Sequence, residues 1–106
     1  MSKWSIFNKG RTIGSVSAEG GLILSDEEHE EGARITLKRG TGYVSVSLIV
    51  FGWIDHTRFF NTDSDAQREY RAMKPAAVSI LSVINTEGIS DIKIWEAISE
   101  FVRRFP

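Results

Sequence analysis

The sequence predicts an α+β domain: an antiparallel meander of five to six strands, followed by two C-terminal helices packed on one face. Three observations carry that expectation. Apolar residues recur at every second position up to about Asn61, broken by glycine-centred turns. Beyond Asn61 they recur every third or fourth position through two long stretches. Helix-start residues stand where the period changes, at Thr62 and Ser64, and again at Ser90.

Trp4 to Phe7 is a short β-prone run, and Asn8-Lys9-Gly10 closes it as a loop. Thr12 to Ser17 follows with Gly14 inside it, which predicts a bulged or edge strand. Glu19-Gly20-Gly21 makes the next turn. Leu22-Ile23-Leu24 then leads into the acidic run Asp26 to Glu31, ended by Gly32. Ala33, Ile35 and Leu37 alternate with Arg34, Thr36 and Lys38, the signature of a half-buried strand. After Gly40-Thr41-Gly42, the strand Tyr43 to Phe51 sets Val44, Val46, Leu48 and Val50 on one face and Ser45 and Ser47 on the other. Ile49 and Phe51 load the serine face as well, so an interior position in the sheet is expected. Trp53 to Phe60 continues past a bulge or reverses tightly at Gly52, with Phe59 and Phe60 expected to be buried.

Thr62 with Asp65, and Ser64 with Gln67, have capping-box spacing. Ala66, Tyr70, Met73, Ala77, Ile80, Leu81 and Ile84 form one helical stripe, with Arg68, Glu69, Arg71 and Lys74 on the opposite side. Pro75 lies in mid-stripe and predicts a kink or a split. Gly88 suits a helix stop. Ser90 and Asp91 open the last helix, whose expected buried side is Ile94, Trp95, Ile98, Phe101, Val102 and Phe105.

With 106 residues, 42% hydrophobic and 25% charged, the chain is expected to be a single domain with one core. It has no cysteine, which excludes disulfides, thiol nucleophiles and thiolate metal sites. No apolar run is long enough to span a bilayer, and none of signal-peptide length follows Met1, so a cytoplasmic location is the expectation. A net charge of −1 argues against nucleic acid or anionic lipid as the partner of the whole molecule.

Three constellations stand out as candidate sites. Five carboxylates surround His29 in Asp26 to Glu31. Glu27, Glu28, His29, Glu30 and Glu31 read as a hairpin tip that is either merely solvated or an arm docking a basic protein surface. A divalent-cation loop fits less well, because neighbouring strand residues point to alternate faces and the spaced ligand pattern is missing. Asp55 and His56 suggest acid–base chemistry, although strand neighbours face opposite sides and no activated serine accompanies them. Trp53, Arg58, Phe59 and Phe60 have the residue types of a single-strand nucleic-acid platform, but aromatics packed beneath a helix explain them more simply. The glycines form no phosphate loop, and no motif calls for a cofactor or a metal.

These residues favour a small non-enzymatic interaction protein, such as an adaptor, inhibitor or immunity-type partner. It would bind through the acidic arm or an exposed sheet face, to another protein with a basic surface or to a second copy through the sheet. A small enzyme using Asp55 and His56, and a single-stranded nucleic-acid binder, are the alternative readings.

Overall fold

The computed structural model describes residues 3–106. Five strands lie in chain order: β1 (Trp4–Ile6), β2 (Leu22–His29), β3 (Ala33–Gly40), β4 (Tyr43–Val50) and β5 (Ile54–Phe60). Each is antiparallel to its neighbours, as short connections require. Two helices follow, α1 (Asp63–Ile84) and α2 (Asp91–Arg104). The α+β meander with both helices at the C-terminus is therefore as the sequence predicts.

Local chemistry fixes the boundaries. The β3–β4 hairpin closes with Gly40 opposite Tyr43, and the two-residue turn needs the positive φ of 78° that Gly42 supplies. Trp53 to Phe60 does reverse tightly: the Trp53 N–H donates to the Val50 carbonyl, and β5 runs back along β4. The Thr62 hydroxyl caps α1 by accepting from the Asp65 N–H at 3.2 Å, and Ser90 caps α2 through the Lys93 N–H.

The core lies between one sheet face and α1. Ala33, Ile35 and Leu37 of β3 and Val44, Val46, Leu48 and Val50 of β4 meet Ala66, Tyr70, Met73, Ala77, Ile80 and Leu81 of α1. Burying each large aliphatic side chain there contributes about 1.5–3 kcal/mol. Helix α2 packs mainly on α1 through Ile94, Ile98 and Phe101, and Phe105 closes the end.

Several expectations are corrected. Thr12 to Ser17 forms no strand; its turns meet β2 through the isolated Val16–Leu22 bridge, backbone bonds between Gly14, Ser15 and Ile23, and the Thr12 hydroxyl on Asp26. Trp95 is 51% exposed rather than core, and Val102 is exposed too, because Ile94, Ile98 and Phe101 already fill the seam against α1. Phe59 is 68% exposed, since it points to the face without helices. Helix α1 runs unbroken through Pro75 rather than splitting there. The proline sits on the exposed side, where water can take the Arg71 carbonyl that its missing N–H leaves unpaired. Glu69 and Lys74, expected on the side opposite the stripe, instead reach back to Arg58 and Glu27 on the sheet.

Candidate functional site

The acidic segment is not a free arm. Most of it is strand β2, so its side chains alternate between the two sheet faces. Asp26 is 1% exposed and accepts from Thr12 Oγ1 at 2.8 Å, Arg34 Nε at 2.9 Å, Arg34 Nη2 at 2.6 Å and Thr36 Oγ1 at 3.0 Å. Burial alone would push its carboxyl up, but the donors overcome that and hold it below the ordinary range. The same bond raises the Arg34 pKa, and the Arg34 guanidinium lies 3.7 Å over the Phe7 ring.

Glu27 faces the helices and accepts from Tyr70 Oη at 2.6 Å and from Lys74 Nζ at 3.0 Å. Burial, reinforced by that carboxylate, pushes the Tyr70 hydroxyl far above its usual range, so it stays a donor. His29 is buried edge-on against Trp4, and its Nδ1 accepts from the Glu31 N–H at 3.1 Å. Glu28 is exposed on the helix-free face, while Glu30 and Glu31 sit in the β2–β3 turn with Lys3 at 3.6 and 3.8 Å. Of the five predicted residues in this run, Glu27 and His29 are held by internal partners, Glu28 lies on the helix-free face, and Glu30 and Glu31 share the β2–β3 turn.

His56 and Arg58 lie on the helix face of β5 and clamp the C-terminus. His56 Nε2 bonds the Phe105 carbonyl at 2.6 Å, and Arg58 Nε donates to the Pro106 carbonyl at 3.0 Å. Arg58 also reaches Glu69 at 2.8 Å, and that hydrogen bond holds the Glu69 carboxyl low. Asp55 projects to the other face, so the pair cannot act on one atom. Trp53, in the β4–β5 turn, is half-buried edge-to-face against Trp95 with ring centres 5.2 Å apart. The predicted residues do not converge on one site.

A different set does converge. On the face without helices, β3, β4 and β5 place three rows side by side: Arg34, Ile49 and Asp55; Thr36, Ser47 and Thr57; Lys38, Ser45 and Phe59. With the turn at Ser17 to Gly20 as one wall, they form the floor of a groove of about 400 Å³. Its middle is hydroxylic, and Ser47 and Thr57 bond each other at 2.9 Å. One end carries Tyr43 edge-on to Phe59, centres 5.6 Å apart, with the Tyr43 ring folded over Gly40, where any Cβ would collide with it. Lys38 stands near that end, 3.9 Å from Glu19, which its charge, after the residue's own backbone hydrogen bond, helps hold low. Asp55 marks the other end with no ion pair among the described residues. The alternation of Thr36, Lys38, Ser45, Ser47 and Thr57 opposite the aliphatic face was the sequence signal for this surface.

Other hollows are more open. One, of about 560 Å³, runs between Trp4 and His29 and the end of α1. Among the described residues, no three histidine or acidic side chains could hold a metal together, and no helix is long and apolar enough to cross a membrane. Compared with protein families, curated proteins and solved structures, the chain matches none.

Proposed function

We propose that this is a small non-enzymatic interaction protein, an adaptor, inhibitor or immunity-type partner. It takes another protein on the open face of its sheet, in the cytoplasm. The carrying observation is the groove itself: a hydroxyl-rich floor flanked by exposed Phe59 with the half-buried Tyr43 ring against it, on the face the helices leave uncovered. Aromatic side chains are what protein interfaces concentrate, and the energy of such an interface would rest on this pair rather than on the hydroxyls. The acid–base alternative finds no support, because Asp55 and His56 point to opposite faces. Nor does the nucleic-acid reading: Arg34 and Lys38, the cations of the groove, already face Asp26 and Glu19.

The reading moves the binding surface away from the acidic turn, and that is testable. The chain would be used as bait in a lysate of its source, beside Tyr43→Ala/Phe59→Ala and Glu30→Gln/Glu31→Gln variants. A protein captured by wild type should survive the glutamate changes and be lost from the aromatic variant. Retention by the aromatic variant refutes the open-face reading, and loss on the glutamate changes restores the acidic turn.

A further inference from the structure

We propose that the outer edge of β5 is a strand-addition site, taking an extended segment of another polypeptide as a sixth strand. This rests on the reading of the open face as the binding surface and names how its partner docks. The sheet has two edges. β1 closes one with only three residues, and so short a strand is a common way to blunt an edge. β5 forms the other with seven residues and no proline.

The register shows what that edge leaves unpaired. In an antiparallel ladder, pairs that exchange backbone bonds alternate with pairs whose side chains approach more closely. Ser47 and Thr57 are directly opposite, and their hydroxyls meet at 2.9 Å, which marks the closer, unbonded kind. The hairpin closed by Gly40 and Tyr43 gives the same phase: odd-numbered residues of β4 bond to β3, even-numbered ones to β5. Asp55, Thr57 and Phe59 therefore direct their N–H and C=O groups away from β4. No turn, loop or side chain among the described residues bonds them.

The same three side chains lie exposed on the groove floor, so an incoming antiparallel strand would set one residue opposite each. Asp55 has a carboxylate without a counter-charge and calls for Lys or Arg. Phe59 calls for an aromatic or β-branched residue, the pairing that stabilises neighbouring strands. A second copy of the chain complements this edge poorly. A two-fold axis at Thr57 sets Asp55 against Phe59, axes at Asp55 or Arg58 set like charges against each other, one at His56 sets Asp55 against Thr57 and leaves its charge unpaired, and one at Phe59 leaves almost no strand to pair.

The probe is a blocked seven-residue peptide with Ile, Thr and Lys at alternate positions from N to C, facing Phe59, Thr57 and Asp55. It would be titrated into the ¹⁵N-labelled full chain beside a version with Glu in place of Lys. The expected result is amide exchange slowed about tenfold or more at Asp55, Thr57 and Phe59, with the Glu peptide binding about tenfold more weakly. Asp55→Lys, an exposed change, should reverse the preference between the peptides. Unchanged amides at millimolar peptide, or equal binding of both peptides, overturns the proposal. Concentration-dependent protection of these amides without peptide overturns it in favour of a second copy. If the edge is silent while the Tyr43/Phe59 variant still loses the captured partner, strand addition fails and the open-face reading stands.

Discussion

Replacing Asp26 by alanine removes the acceptor of four hydrogen bonds, two from Arg34 and one each from Thr12 and Thr36. A hydrogen bond to a charged group is worth about 1.5–3 kcal/mol, but the four are not additive, and the Arg34 side chain, 27% exposed, can turn partly to water. Thr36 is buried and cannot, so its hydroxyl is left unsatisfied. The net loss should be about 3 kcal/mol, close to the lower end for breaking a buried pair. In a domain of this size that lowers the melting temperature by roughly 12 °C. The pH dependence adds a second signature. Because the folded carboxyl sits below its unfolded value of 3.8, its contribution is present above that pH and lost as the pH falls through the folded value. Wild type and Asp26→Ala should therefore differ most near pH 7 and converge in acid. Calorimetry at pH 7 and at pH 3 decides it. A melting temperature within about 2 °C of wild type at pH 7, or a gap that widens in acid, refutes the buried latch.

Trp95→Ala should cost about 1 kcal/mol rather than the 3–5 of a core tryptophan, because only its edge-to-face contact with Trp53 is lost; thermal unfolding measures it. Glu27→Gln should lower stability without touching partner capture, since its carboxylate serves Tyr70 and Lys74; denaturant titration beside the capture assay separates the two. His56→Ala should loosen the segment held at the Phe105 carbonyl, seen as faster exchange of the Phe105 amide with the fold intact. Gly40→Ala should displace the Tyr43 ring and weaken partner binding with no change of charge.

The fold was legible because it depends on periods that a sequence displays directly. The change near Asn61 marks where β5 ends at Phe60 and α1 begins at Asp63; of the two cap candidates there Thr62 is used and Ser64 lies inside the helix, and Ser90 caps α2 as expected. The site was harder to see. Asp26 and Glu27 look alike in sequence, yet one faces Arg34 eight residues on and the other Lys74 forty-seven residues on. Which carboxylates are free depends on those distant partners, so charge density alone does not show which of them are held inside the fold. Trp95 sits next to the Ile94–Ile98–Phe101 seam, and apolarity cannot distinguish the flank of a stripe from its centre. The groove is formed by serines and threonines on three strands, each residue ordinary alone and informative only once the register aligns them.

If partners bind the face of the sheet opposite the helices, a crosslinker placed there will capture them. Photo-crosslinking tests it most directly, with a benzophenone amino acid placed at Ser47 on the groove floor or at Ser99 on the exposed side of α2. A covalent adduct with the captured protein is expected from position 47 and none from position 99. An adduct from position 99 alone would contradict it.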